Sequence, residues 1–186
     1  MARAHHHIDV TDDTTRRRFE RLVLPSLDAA YNLARWLVRD DTQAQDMVQD
    51  AYLRAYRSFD SFRGDHVRPW LFAIVRNVCY TWLRENRGLA QDLPFDEEFH
   101  CVDLCIDSQA ILSRLDQRRC IDKALNMLPE EYREVLILRE LEDMSYREIA
   151  LVAAIPLGTV MSRLARARKL MLTHLQDMGI GAGDGL

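Results

Sequence analysis

The sequence contains few of the residues that interrupt helices: it has seven glycines and five prolines among 186 residues. Between them, apolar residues recur at spacings of three and four, which is the period of an amphipathic helix. No segment shows the convincing alternation of apolar and polar residues that is typical of a half-buried strand. These absences argue against a β architecture and predict an all-α chain.

The chain also lacks a long apolar run and a secretory signal core. A membrane-spanning helix needs about 20 mainly apolar residues, and no stretch of that kind occurs. We therefore expect no direct membrane insertion and a cytoplasmic location. Cysteines in that compartment are usually reduced thiols. The four cysteines are Cys79, Cys101, Cys105 and Cys120.

No overall excess of positive charge is present. The 25 Lys and Arg residues are outnumbered by 29 Asp and Glu residues, which gives a net charge of −4. That balance is unusual for a free-standing DNA-binding protein, because neutralising phosphates supplies most non-specific affinity. Basic residues are concentrated at 16–21 and 163–169. An acidic chain with local basic patches indicates that DNA is not its sole partner.

Breaks in the helical patterns divide the chain into two small helical domains joined by a flexible linker. Glycine, proline and a run of acidic residues interrupt the periodicity in the middle, and dense glycine ends the last helix. His5, His6 and His7 fit a solvated tail better than a metal site or an artificial remnant. The predicted parts are a disordered leader at 1–15, a first domain at 16–86, a linker at 87–112, a second domain at 113–176 and a disordered tail at 177–186.

The second domain carries a helix-turn-helix pattern with a basic second helix. Ser145 and Glu148 have the spacing of a capping box, which marks a helix start. Ile155-Pro156 ends that helix, because proline disfavours helical geometry in the preceding residue. One stripe of the next helix is apolar, formed by Leu157, Val160, Leu164, Ala167 and Met171. Polar and basic side chains lie opposite or beside that stripe, as expected of a helix that reads DNA or of a solvated basic face.

In the first domain, an amphipathic helix is predicted over Phe19–Arg39 and another begins at Asp40-Asp41-Thr42. Thr42 and Gln45 have the spacing of a second capping box. The helix that they begin has a wide apolar stripe, formed by Ala44, Met47, Val48, Ala51, Tyr52 and Ala55. Leu53 lies on the opposite, charged face. It is either an ordinary exposed leucine or an interface anchor with a polar rim, and the pattern alone leaves both open.

A polar loop and a third helix, predicted over Trp70–Arg87, complete the first domain. Basic and aromatic residues are interspersed in this stretch. That composition suits the binding of single-stranded nucleic acid, because bases stack on aromatic rings and phosphates pair with basic side chains. Most of the aromatics, including Phe62 and Trp70, fit the core better. The polar loop residues are the better candidates for binding.

Four stretches together resemble the extracytoplasmic-function group of bacterial sigma factors. They are Gln45–Tyr56, similar to the helix that docks on the polymerase clamp; Phe62–Asn77, similar to the −10 reader; Leu128–Leu136, similar to the start of region 4; and Ile155–Arg168, similar to the −35-reading helix. All four occur in the family's order and at its spacing. The resemblance implies a promoter-specificity subunit that binds core RNA polymerase and promoter DNA, with an anti-sigma protein as its inhibitor.

The resemblance also implies roles for individual residues. Core polymerase would contact Asp46, Gln49, Asp50, Leu53 and Arg54. The −10 strand would contact Arg63, His66, Arg68, Arg76 and Asn77, with an unpaired base captured in a polar pocket. The −35 duplex would contact Thr159, Ser162, Arg163, Arg166 and Lys169.

Three positions depart from the family pattern. Ala154 replaces the usual glycine of the helix-turn-helix turn, so that turn must tolerate a Cβ or carry modest strain. Met161 replaces a common lysine, which predicts the loss of one phosphate contact. His66 stands where small polar residues are usual, which predicts an unusual −10 preference.

Other functions fit parts of the chain. An ordinary helix-turn-helix regulator would bind duplex DNA tightly without polymerase. An enzyme could place a hydrolytic site among the acidic, His and Cys residues of 92–107, but that segment lacks the rigid scaffold that catalysis needs. His100, Cys101 and Cys105 could bind zinc or sense redox state, although their spacing is not a standard zinc pattern. We expect no catalytic residues, no cofactor and no metal, and no nucleotide-binding P-loop is present.

Overall fold

The computed structural model of the chain describes residues 10–64, 66–86 and 119–179. Every regular element in these residues is a helix, as the sequence predicted. The two helical domains are present, whereas the linker at 87–112, with His100, Cys101 and Cys105, lies outside the described residues. None of the described helices is alone long and apolar enough to cross a bilayer, and one sharply bent helix pair meets that criterion by length and composition only.

Four α-helices build the first domain, with single 3-10 turns at Leu24–Ser26 and Phe59–Ser61. The prediction of one helix over Phe19–Arg39 is wrong, because Pro25 interrupts it and forces a 3-10 turn between two helices. The first helix begins at Val10, so residues 10–15 are helical rather than part of a disordered leader. The helices are α1 Val10–Val23, α2 Leu27–Val38, α3 Asp41–Ser58 and α4 Val67–Glu85.

Helix α3 begins one residue after Asp40, whose side chain accepts a hydrogen bond from the backbone N–H of Gln43 at 2.7 Å. The capping box predicted for Thr42 and Gln45 is therefore wrong, and the aspartate upstream does the capping. The predicted apolar stripe packs inward, with Ala44, Val48, Ala51 and Ala55 buried. Helix α4 begins at Val67, three residues before the predicted start, because Pro69 is tolerated in a first turn.

The second domain contains a helix at 119–127, here α5, followed by α6 Glu130–Glu140, α7 Tyr146–Ala153 and α8 Leu157–Asp177. Helices α7 and α8 bend by 101° about their connection, within the range of helix-turn-helix motifs. Ser145 and Glu148 form the predicted capping box. Ala154 occupies the left-handed region, with φ 53° and ψ 45°, so the turn is strained rather than tolerant of a side chain.

The core of the second domain forms where α8 packs against α6 and α7. Val160, Leu164 and Ala167 of the predicted stripe are buried, but Leu157 at its start is 39% exposed. The two domains also touch each other, α4 against α7 and α2 against α6. Their buried apolar residues are continuous across that contact.

Candidate nucleic-acid and partner interfaces

The outer face of α3 carries the residues predicted to bind a large partner. Leu53 is 55% exposed at the end of this face. Beside it, the guanidinium of Arg54 donates to the carboxylate of Asp50 across one helical turn, at 2.8 and 3.1 Å. The face therefore combines an exposed apolar side chain with a polar rim, which is the composition of an interface anchor. Its other predicted members, Asp46 and Gln49, are also exposed.

Leu53 lies at the edge of an apolar groove of 770 Å³ between α1, α2 and α3. Leu27 in its wall is 42% exposed, and Tyr31 and Tyr56 add aromatic surface. Tyr52 is half-buried there; its hydroxyl donates to the carbonyl of Val23 at 3.2 Å, and burial raises its pKa to about 12. The groove was not predicted from the sequence, because these residues have the spacing of ordinary core positions.

The predicted −10 surface divides into two parts. Three of its residues, Arg63, His66 and Asn77, are exposed on the loop or on α4. The Arg63 guanidinium donates to the backbone carbonyl of Asp60. Under this loop, the rings of Phe62 and Trp70 pack with centroids 4.7 Å apart. Both rings join the core as expected, so the exposed polar residues are the ones available to a ligand.

The other two predicted −10 residues contact the second domain. The Arg68 guanidinium donates to the carboxylate of Glu142, and to its backbone carbonyl at 2.7 Å. The Arg76 guanidinium pairs with the carboxylate of Glu134. Tyr80 donates to the same carboxylate at 3.2 Å. The structure therefore does not bring all five residues together on one open surface.

Both carboxylates of these pairs are withdrawn from water, with side-chain exposures of 1% for Glu134 and 5% for Glu142. Burial raises the pKa of Glu142, and the Arg68 guanidinium opposes that shift only in part. Burial and the neighbouring Glu134 carboxylate raise the pKa of Tyr80. Neither glutamate was predicted as a site residue from the sequence, because acidic residues on α6 and after it have the pattern of a solvated helix face.

The predicted −35 surface lies on α8, between Thr159 and Lys169. Ser162, Arg166 and Lys169 are exposed, whereas Thr159 and Arg163 are half-buried. The Arg163 guanidinium donates to Glu131 of α6 at 3.2 Å, and Arg166 lies 3.5 Å from the hydroxyl of Tyr132. All of these contacts stay within the second domain, so the surface is assembled locally.

A second apolar groove, of 410 Å³, lies on the second domain between α5, α6 and α8. Its walls include Leu125 and Met171, and exposed Leu141 and Leu172 stand at its edges. It was not predicted, because its residues come from three helices and no single periodic pattern contains them.

Of the four cysteines, the structure describes two. Cys79 is a buried thiol whose pKa burial raises to about 12, and Cys120 is half-exposed. A thiol with so high a pKa is a poor nucleophile and a poor metal ligand. Cys79 therefore serves as a small core residue of the first domain.

Two family profiles match the chain in the order of its domains. The profile "Sigma-70 region 2" matches residues 22–88, and "Sigma-70, region 4" matches residues 118–171. The RNA polymerase sigma-H factor of Pseudomonas aeruginosa is 33% identical over 171 residues, which are 88% of this chain and 89% of that protein. The ECF RNA polymerase sigma-E factor of Escherichia coli K12 is 33% identical over 142 residues, 72% of this chain and 74% of that protein.

Solved structures show the same fold. The sigma factor RpoE of Bartonella quintana, solved in complex with the anti-sigma factor NepR, aligns with a TM-score of 0.70 and 29% identity, covering 86% of this chain and 98% of that one. CnrH, solved with the cytosolic domain of CnrY, aligns with a TM-score of 0.61 and 24% identity. It covers 90% of this chain and 96% of that one, and it supports the fold alone.

Proposed function

The chain belongs to the sigma-70 family, and its relatives include ECF RNA polymerase sigma-E factors. From that premise we propose how its surfaces divide the work of promoter-specific initiation. In the proposed division, the first domain docks on core RNA polymerase and reads the −10 element. The second domain reads the −35 element. Two features of the same chain support the proposal. Leu53 is exposed beside an apolar groove on the first domain, and the helix-turn-helix of the second domain has an exposed basic face.

Polymerase docking is proposed for the outer face of α3. Leu53 would enter a pocket on the partner, and the adjacent groove would accept an apolar ridge from it. The charged rim, with Asp46, Asp50 and Arg54, would set orientation, while Gln49 adds a neutral donor and acceptor. Burying a leucine that is 55% exposed in the free protein would stabilise the complex by removing apolar surface from water.

Promoter reading is proposed for two separated surfaces. Exposed Ser162 and half-buried Thr159, near the start of α8, suit contacts with base edges, and the neighbouring cations suit phosphates. These cations are Arg163, Arg166 and Lys169. On the first domain, Asn77 can both donate to and accept from the edge of an unpaired −10 base. Arg63, His66, Arg68 and Arg76 would engage the surrounding backbone.

An anti-sigma protein is proposed as a further partner, because the similar sigma factor of Bartonella quintana was solved with one. A protein inhibitor that covered the α3 groove would block polymerase docking directly. The function also requires the compartment that holds polymerase and chromosome, so we place the protein in the cytoplasm. Initiation by this mechanism consumes no bound nucleotide of the protein's own.

The docking proposal is tested with Leu53→Asp. A carboxylate at the centre of an apolar interface is desolvated without a partner, so we expect the affinity for purified core polymerase to fall by about 30-fold. Leu151→Asp is the matched control, because Leu151 of α7 is 67% exposed and lies on the other domain. Affinity is measured in the absence of DNA, followed by run-off transcription on a genomic promoter library.

Three results would contradict the proposal. Equal losses of core affinity in both variants would show that α3 is not the docking face. Failure of the wild-type holoenzyme to initiate at any promoter would reject promoter-specific initiation itself. Strong, specific duplex binding by the free protein would favour an ordinary helix-turn-helix regulator instead.

A further inference from the structure

The exposed face of α8 carries a strip of short side chains over its first turns. At about 100° per residue, this strip lies opposite the buried Val160 and Leu164. Its members are all exposed, and they are Gly158, Ser162, Ala165 and, at its end, Lys169. The Ser162 hydroxyl donates to the backbone carbonyl of Thr159 at 3.0 Å, so it is held against its own helix. The strip therefore allows a partner to approach the backbone of α8 closely.

Nothing in the packing of the described residues requires a glycine at position 158. The φ angle of Gly158 is not positive. A Cβ added there would meet no atom of the described residues within 4 Å, apart from its immediate neighbours. Glycine is also a poor helix former. Since glycine is used where a backbone and a ligand come close together, Gly158 fits contact with a partner outside the chain.

The two edges of this strip differ in chemistry. On one edge, Met161 is 50% exposed, and Leu157 one turn earlier is 39% exposed. On the other edge, the exposed Arg166 makes a 3.5 Å contact to the hydroxyl of Tyr132. A single exposed methionine is ordinary. Here, however, two neighbouring large apolar side chains border a strip that also carries cations, so one face offers close approach, positive charge and apolar contact together.

The major groove of duplex DNA matches this combination. Its phosphates suit the cations Arg166 and Lys169. Among the base edges in the groove, the methyl group is that of thymine, so an apolar side chain there distinguishes A·T from G·C pairs. Methionine suits such a contact because its thioether side chain is flexible and polarizable. The exposed edge of α8 therefore fits a thymine methyl group better than it fits a phosphate.

We propose that Met161, supported by Leu157, reads thymine methyl groups in the −35 duplex. The −35 preference of this chain then depends on an apolar contact as well as on the polar contacts of Ser162 and Arg166. This inference rests on the proposed function, because it assigns α8 to −35 DNA, and it names the chemical group that is recognised. At position 161, the phosphate contact of the usual lysine is replaced by a contact to a base.

The test removes methyl groups from the DNA and leaves its base pairing and charge unchanged. Promoters are first selected by run-off transcription with the holoenzyme from a library whose −35 region is randomised. A selected promoter is then prepared with thymine or with uracil in the −35 region, because uracil forms the same pair with adenine and lacks the methyl group. The affinity of the wild-type holoenzyme should fall about fourfold for each methyl group that Met161 covers. Uracil in the spacer between the two elements is the DNA control and should change nothing.

Met161→Gln is the matching change in the protein. Glutamine is about as long as methionine but polar, so this variant should bind the thymine and uracil templates equally. Met161→Leu keeps an apolar side chain and should retain the preference for thymine. Leu172→Gln is the matched control, because Leu172 is 56% exposed on the same helix beyond the strip. This control should keep the full preference for thymine, whatever its effect on overall affinity.

Several outcomes would overturn the inference. The selected −35 regions could share no A·T pair, or the wild type could bind both templates equally. A preference for thymine that persists in Met161→Gln would mean that the methyl groups act through DNA shape or through another side chain. Loss of the preference in Leu172→Gln would show that it is not specific to the strip. A wild-type holoenzyme that initiates at no promoter rejects the proposed function, and the inference with it. One that initiates but does not distinguish thymine from uracil rejects the inference alone.

Discussion

The two candidate DNA-reading surfaces differ in where their cations find partners. On α8, Arg163 pairs with Glu131 and Arg168 pairs with Glu140, all within the second domain. On the first domain, Arg68 and Arg76 pair across the domain contact. The −35 surface is therefore complete whenever its own domain is folded, whereas the −10 surface depends on how the two domains are arranged.

The two surfaces therefore depend to different degrees on the rest of the molecule. A reader built on one helix and its packing neighbours keeps its geometry when the arrangement of the two domains changes. A reader whose arginines are held by another domain can be switched without any change in its own fold. The two surfaces are independent if the domains fold as separable units, and a substitution in the core of either domain tests this.

The largest effect is expected from Leu164→Ala in α8. Leu164 is 1% exposed, so the cavity should cost about 3 kcal/mol of the free energy of unfolding of the second domain. Calorimetry should show a separate, earlier transition for that domain. Binding of the single −10 strand should not fall, because the first domain keeps its own core.

Leu151→Ala is the control for this experiment, since Leu151 is 67% exposed on α7 and should cost less than about 0.5 kcal/mol. If Leu164→Ala lowers both the stability of the second domain and the affinity for the single −10 DNA strand, the two domains fold as one cooperative unit. In that case the two readers could not be independent.

A smaller effect is expected from Arg166→Ala, which tests whether the −35 surface acts through its exposed cations. Arg166 is exposed, and among the described residues its side chain makes a long 3.5 Å contact to the Tyr132 hydroxyl, which leaves it room to turn toward DNA. Holoenzyme initiation at promoters that depend on the −35 element should fall about tenfold. Run-off transcription with matched promoters that lack the element is the measure of specificity.

Arg168→Ala provides the comparison, because two hydrogen bonds of 2.7 and 3.1 Å hold that guanidinium on Glu140. It should reduce initiation by a smaller factor than Arg166→Ala. The reverse order of effects would place the DNA on the other side of α8.

Ser145→Ala tests the start of the helix-turn-helix through its pH dependence. The Ser145 hydroxyl and N–H donate to the Glu148 carboxylate at 2.7 and 2.8 Å, and these bonds lower the pKa of that carboxyl below 4.5. A carboxyl with a lowered pKa in the folded state stabilises it at pH values above 4.5, and that stabilisation is lost as the pH falls through the lowered pKa.

The substitution should therefore lower the free energy of unfolding, measured with urea, by about 1 kcal/mol near pH 7, and by less as the pH falls through the lowered pKa of Glu148. The remaining cost at low pH reflects the lost hydrogen bond from the Glu148 N–H to the serine oxygen, 3.3 Å long. If the loss of free energy of unfolding caused by Ser145→Ala does not change with pH, the charge of the Glu148 carboxylate adds nothing to the capping box.

Local patterns allowed much of this structure to be predicted. The capping box at Ser145, the buried stripe of α8 and the exposed Leu53 each follow from residues within a few turns of one another. The break at Pro25 was equally local and was missed, because the apolar periodicity continues across it. The all-α class and the two helical domains were predicted because the periodicity is strong on both sides of the linker.

Contacts between distant segments could not be predicted. The pairs that join Arg68 to Glu142 and Arg76 to Glu134 link positions 74 and 58 residues apart. No spacing rule relates such positions, because they belong to different domains of the chain. The apolar grooves were missed for the same reason, because each is assembled from three helices and its members look like core residues in every one.

The smallest expected effect concerns the turn that sets the angle of the −35 reader. Ala154 adopts φ 53° and ψ 45°, a left-handed conformation in which the Cβ of an L-residue crowds the following carbonyl. Glycine removes that strain but loses more conformational entropy on folding. The first effect is about 1–2 kcal/mol and the second about 0.5–1 kcal/mol, so the balance favours glycine.

Ala154→Gly should therefore raise the free energy of unfolding of the second domain by about 0.5 kcal/mol and leave the first domain unchanged. Ala165→Gly is the matched control, because Ala165 is exposed in the right-handed interior of α8 and glycine there should cost about 1 kcal/mol. If both substitutions destabilise the domain equally, the turn carries no strain that glycine can relieve. A gain that appears in both domains would instead show that the turn is coupled to the contact between the two domains, since α7 is the helix that packs against α4.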